Sequence, residues 1–284
     1  MRPVKLIGVA SGIGAQDAGC ADGPQVLREL GVFRDAEVQA AWDGMLRPRA
    51  DGSLLAVDAE LNTRLAATVQ HTLESGQFPL VVGGDHSCAI GTWSGVQRWL
   101  GAPLGLIWVD AHMDSHTFAT SPSGALHGMP LAWLLGHGDR TLFAGEVPRL
   151  QPQQVCLLGV RSFEEGEAAL LQRLGVRVIG MHEIHERGLA EVLAEALAIA
   201  RNGSAGYGVS IDLDVLDPLE EPGVGSPAPG GLHIQALEQA LHQLRGDPQL
   251  LALEIVEYNP YRDRDQLTAQ AAGALFRAVL EPEA

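Results

Sequence analysis

Apolar runs of strand length alternate with amphipathic stretches along nearly all of this 284-residue chain, and that alternation restricts the fold more than any other feature. The runs read as strands near 4–10, 78–83, 104–110, 153–160, 176–181, 206–213 and 250–257. The stretches between them read as helices near 58–76, 86–100, 126–136, 164–174, 188–202, 233–245 and 265–281. Strands joined through helices require right-handed crossovers and a parallel sheet covered on both faces. The expectation is an α/β fold of three αβα layers, a single domain over residues 1–284. At this length, 46% apolar residues suffice for one large core. Residues 35–57 follow neither period and leave room for one more short strand.

In open parallel sheets, ligands bind beyond the carboxyl ends of strands. That is where this chain concentrates its metal-binding side chains. The run Leu104–Val109 leads into Asp110-Ala111-His112-Met113-Asp114, and Gly206–Ser210 leads into Ile211-Asp212-Leu213-Asp214. In extended backbone, alternate residues point the same way, so Asp110, His112 and Asp114 are expected to converge, as are Asp212 and Asp214. Four carboxylates and an imidazole so close repel unless cations lie between them. A third run ends in Gly83-Gly84-Asp85-His86-Ser87, where the glycines allow a tight approach and His86 becomes a sixth ligand. Oxygen-rich, with two nitrogens and no cysteine, the set suits manganese or a similar divalent ion better than structural zinc.

Other features bound the reading. The formal charge of −16 argues against nucleic acid as a partner and is compatible with a cationic substrate. No stretch reaches the ~20 apolar residues of a membrane span, and the N-terminus reads as a first strand, not a signal peptide. Cys20, Cys88 and Cys156 fit no disulfide or zinc spacing and suggest reduced thiols in a cytoplasmic protein. Gly12-Ile13-Gly14-Ala15-Gln16-Asp17 lacks the third glycine of a dinucleotide fingerprint and reads as a plain loop.

With these residues assembled, the chain resembles the ureohydrolase family, the arginases in particular. The resemblance rests on GGDHS (83–87), DAHMD (110–114), SPSGALHG (121–128), SIDLDVLDP (210–218), PGVGSPAPGGL (222–232) and LEIVEYNP (253–260), in family order. It implies a parallel sheet of about eight strands and two manganese ions per subunit. His86, Asp110, Asp114 and Asp212 would hold one ion, and His112, Asp110, Asp212 and Asp214 the other, with Asp110 and Asp212 bridging. It further implies hydrolysis of a guanidinium group by a metal-bridging hydroxide: L-arginine to L-ornithine and urea. Asp114 would orient the hydroxide, His127 would shuttle the proton, and Glu257 would bind the guanidinium with Ser226 nearby. Glu254 would support a metal-side residue. Family members commonly form trimers or hexamers, so a homo-oligomer is expected.

The match weakens where the far end of a substrate would be read. Arginases usually carry asparagine where this chain has His116 and Ala125, and a residue one methylene shorter than Glu164. Ser123 is retained and suits a carboxylate, and a partly cationic His116 would replace a neutral amide there. L-arginine is the expected substrate; agmatine or another guanidino acid is the alternative. A metal-dependent deacylase or a non-catalytic arginine binder fits less well, since no ligand is missing.

Overall fold

A computed structural model describes residues 2–49, 52–145 and 149–282. Eight strands form one sheet: β1 (Val4–Val9), β2 (Ala40–Leu46), β3 (Phe78–Gly83), β4 (Leu104–Val109), β5 (Val155–Val160), β6 (Arg177–Gly180), β7 (Gly206–Asp212) and β8 (Leu250–Val256). Their order is β2-β1-β3-β8-β7-β4-β5-β6, and all seven pairings are parallel. The α/β expectation holds. The strands at the centre are wholly buried and largely apolar, as a sheet sandwiched between helices requires.

The helices are α1 (Gly23–Leu30), α2 (Leu54–Glu74), α3 (Ala89–Leu100), α4 (Pro130–Leu134), α5 (Glu165–Leu174), α6 (Met181–Arg187), α7 (Leu189–Arg201), α8 (Ile234–Leu241) and α9 (Leu267–Leu280). One core packs Trp93, Trp108 and Val81 between the sheet and α2 and α3. The other packs Tyr207, Val209 and Ile255 under α7, α8 and α9. Two expected boundaries shift: only 130–134 of the 126–136 stretch is α-helical, and α6 precedes α7 as a separate helix. The irregular stretch supplies β2 at the sheet edge, where one neighbour suffices.

The topology decides where the site lies. After β3 the chain crosses to β4 and builds outward through β5 and β6, then returns to insert β7 and β8 between β4 and β3. The crevice at this reversal opens beyond the carboxyl ends of β3, β8, β7 and β4. Register brings those ends level: Val109 pairs with Ile211, and Asp212 with Val256. The residues that follow these strands therefore meet.

Beneath the crevice, Asp58 on α2 is fully buried, accepting from Ser87 Oγ at 3.0 Å and Asn62 Nδ2 at 3.0 Å. Burial, with Asp85 nearby, pushes its carboxyl up to about 7. A raised carboxyl stabilises the fold below its unfolded pKa, and that stability is lost as pH climbs through the folded value. Asp58→Asn is therefore expected to gain on the wild type by about 3 kcal/mol between pH 5 and pH 8, read from paired denaturant titrations. Parallel curves for the two proteins would contradict the assignment.

Candidate metal centre

The loops after β3, β4 and β7 gather the six expected ligands. His86 begins a short 3-10 turn whose N-cap, Asp85, accepts from Ser87 N. Gly84 is required before it, since a Cβ there would lie 1.9 Å from Ser11 O. His86 Nδ1 lies 3.3 Å from Asp110 Oδ2, 2.9 Å from Asp114 Oδ2 and 3.1 Å from Asp212 Oδ2. All four residues are buried. Asp110, His112 and Asp214 form a second group, with His112 Nδ1 2.9 Å from Asp214 Oδ2 and 3.6 Å from Asp110 Oδ1. Asp110 thus turns one oxygen to each imidazole.

The convergence has a different cause from strand alternation. β4 ends at Val109, and Asp110 to Asp114 form a loop in which Asp114 adopts φ 45°. Asp214 lies in a 3-10 turn capped by Asp212, whose Oδ1 accepts from Asp214 N at 2.8 Å. Asp212 Oδ2 faces His86 in the first group.

The residues fit divalent cations. Buried His86 Nδ1 has no hydrogen-bond partner although three carboxylate oxygens surround it, so the donors are turned to a common point without satisfying one another. Burial together with Asp214 and Asp110 pushes Asp212 well above the usual carboxylate range. Burial, then Asp110, raises Asp114 to about 6. Positive charge at this point relieves both penalties.

Surrounding groups hold the set rigid. Trp108 stacks on His86 at 4.2 Å between ring centroids and donates Nε1 to Asp110 Oδ2 at 2.8 Å. Arg161 threads under the turn after β7, donating to the carbonyls of Asp214, Val215, Leu216 and Ala228. Glu254 accepts from Ser210 Oγ, which contacts His86 Nε2. Cys88 is a buried core residue, its Sγ 3.8 Å from Glu254.

Beside the metal donors, Glu257 has φ 66°, and its side chain is 1% exposed. Its Oε1 accepts from His86 N at 2.9 Å and lies 3.1 Å from His127 Nδ1; Oε2 accepts from Cys20 Sγ at 3.2 Å. The plain loop takes part in holding this corner: Gly14 N donates to Asp85 Oδ2, and Gly14 O accepts from His127 N. A cleft of about 190 Å³ leads outward, lined by His112, Asp114, His127, Ser123, Ser226 and Glu164 among others.

At the cleft's outer part His116 sits among partners of its own. The ring is 6% exposed, with Nδ1 3.1 Å from Thr120 Oγ1 and Nε2 3.0 Å from Glu164 Oε2. Both nitrogens are already engaged. Glu167, which sequence reasoning missed, completes this cluster 3.3 Å from His116 and forms a capping box with Glu164 at the start of α5. A glutamate at the third helical position, the second half of a capping box, was the available signal.

The arginase-family sequence model matches residues 2–281. The chain belongs to the arginase family. A curated arginase of Bacillus caldovelox is 39% identical over 98% of this chain and 98% of its own length. The Bacillus cereus arginase structure superposes with a TM-score of 0.93 at 36% identity, covering 100% of this chain and 99% of that one. The Entamoeba histolytica arginase, solved in complex with L-ornithine, gives 0.89 at 26% identity over 97% and 98%. The chain is therefore an enzyme of a guanidino-hydrolysing family.

Proposed function

We propose that this chain hydrolyses L-arginine to L-ornithine and urea at a pair of manganese ions held by His86, Asp110, His112, Asp114, Asp212 and Asp214. The observation that carries the reading is the two donor groups sharing Asp110 beside the Glu257–His127 pair. The L-ornithine seen in the Entamoeba arginase supports an amino-acid product. When bound, such ions bring the pKa of a shared water close to neutrality.

The chain's own groups supply the remaining steps. Glu257 takes the planar guanidinium by its carboxylate edge, fixing charge and orientation together. Burial raises Glu257, but its bonds from His127, His86 and Cys20 outweigh that and keep it ionised. Asp114 accepts a hydrogen bond from the attacking water and aims its lone pair. Burial lowers the pKa of His127, yet Glu257, Asp114 and Asp85 push it up to about 9. With Nδ1 committed to Glu257, His127 Nε2 is the atom left to protonate the departing amine. Ser226 lines the guanidinium end of the cleft, and Ser123 and Glu164 its outer part, where they would take the α-carboxylate and α-amino groups. The chain works in the cytoplasm as a homo-oligomer, a trimer or hexamer.

Agmatine, which lacks the carboxylate, is the second reading, favoured by His116 being spent on Glu164 and Glu167. Urea release from arginine, agmatine, guanidinobutyrate and homoarginine, measured in parallel on manganese-loaded protein, separates them; arginine is expected to be fastest. Equal or better turnover of agmatine overturns the arginine assignment. His127→Ala is expected to keep its manganese and lose turnover by about 10²–10⁴-fold. An unchanged rate removes His127 from the reaction.

A further inference from the structure

Leu54 and Phe118 are large apolar side chains left 65% and 45% exposed, and both border a cavity of about 370 Å³. Ile13, Leu55 and Leu126 complete its apolar wall. The wall is assembled from three places: Leu54 and Leu55 open α2, Ile13 follows β1, and Phe118 and Leu126 lie between β4 and α4. Apolar side chains gathered at the surface around a hollow mark a place where an apolar group binds. What the cavity adjoins says which group that is. Ser123 and Ala125 line both this cavity and the cleft that leads to the metal donors. The cleft alone, about 190 Å³, is smaller than the roughly 300–1,000 Å³ of most small-molecule sites; joined to the cavity it comes within that range.

The seam between the two spaces has its own chemistry. Ala125 puts only a methyl group there, so cleft and cavity stay joined. Ser123 Oγ already accepts from Ala125 N at 3.2 Å, so its proton is what it offers a ligand. A hydroxyl donates to the carbonyl of an amide as it does to a carboxylate. No lysine or arginine lines the cleft among the described residues, so an amide at Ser123 gives up no ion pair with either. Glu164 lines the cleft and not the cavity, and keeps an α-ammonium group in both cases. We propose that the cavity is a further substrate subsite, and that the chain also releases urea from arginine whose carboxyl group is amide-linked to an apolar residue, as at the N-terminus of a peptide. Water adds to the guanidinium carbon, the bond from that carbon to the side-chain nitrogen breaks, and that nitrogen takes the proton. Urea leaves, and the peptide keeps ornithine at its N-terminus. The proposal rests on the reading of the cleft as the guanidino site.

The test measures urea release by manganese-loaded protein from L-arginine, L-arginyl-glycinamide and L-arginyl-L-phenylalaninamide. The two peptides share every group that the cleft reads and differ only in what enters the cavity. The phenylalanine peptide is expected to exceed the glycine peptide in kcat/KM by about tenfold or more, the scale of an apolar pocket contact. The gain should lie in KM, because the cavity touches no reacting atom. Leu54→Ser and Phe118→Ala strip the wall at exposed positions, where folding is not at stake. Both are expected to bring the ratio of the two peptides toward one while arginine turns over as in the wild type. Ala125→Asn, which puts a longer side chain at the seam, should cost the phenylalanine peptide more than it costs arginine. A protein that hydrolyses arginine but neither peptide, or both peptides alike, overturns the proposal. So does a preference for the phenylalanine peptide that survives both wall variants. A protein that releases urea from none of the three instead removes the guanidino reading of the cleft.

Discussion

Glu257→Gln is expected to lower kcat/KM for arginine by about three orders of magnitude, as loss of one partner from a buried charged contact does, while manganese content stays at the wild-type level. The side chain is held from every direction. Its backbone N donates to Gly84 O at 2.8 Å, and its left-handed φ of 66° aims the carboxylate back across the crevice. Gly225 closes the space behind it, where a Cβ would stand 2.5 Å from Oε2. Glutamine has the same shape but must put an amide nitrogen where one oxygen was. At Oε1 that nitrogen would meet the His86 amide and His127; at Oε2 it would meet the Cys20 thiol. In either orientation the charge is gone, and a guanidinium is left without its counterion. A variant within tenfold of wild type, with its metal retained, would take guanidinium binding away from Glu257. Loss of manganese alongside activity would instead make Glu257 a support for the His86 turn, through its bond to His86 N.

The layered α/β architecture was legible because burial on both faces leaves an unbroken apolar run, as in β3 and β4. Elements with weaker signatures were placed only loosely, like β2, or escaped, like α1. β2 is an edge strand of alternating partial exposure, and α1 is an eight-residue helix whose main local sign is Pro24 at its first turn. The ligand set was legible from residue type and position after a strand, but the manner of its convergence was not. Asp114 turns through a left-handed φ that few non-glycine residues adopt and no local motif announces. The turn is held by distant partners: Asp114 O accepts from Leu131 N, and Ser115 N donates to Glu167. Ser210 was similarly unreadable, since it acquires a role only through His86 and Glu254, both far away in the chain.

Asp110→Asn should have the most general effect on metal binding, because Asp110 belongs to both donor groups found among the described residues. Its oxygens are committed twice over. Oδ2 accepts from Trp108 Nε1 at 2.8 Å and faces His86; Oδ1 accepts from His112 N at 2.6 Å and faces the His112 ring. An asparagine nitrogen must therefore oppose one of these N–H donors, and the negative charge shared by the two ions disappears. The expected outcome is manganese below one equivalent at concentrations that saturate the wild type, with urea production falling to background. Melting in the presence and absence of chelator supplies a second readout. A ligand at about 100 times its Kd stabilises the native state by about 2.7 kcal/mol per site, so the wild type should melt lower once stripped. Asp110→Asn should hardly respond. His112→Ala provides the comparison, since it removes a donor from the second group alone and should retain the ion at His86. If Asp110→Asn kept both ions, Asp110 could not be the shared ligand, and the two donor groups would have to act as independent sites.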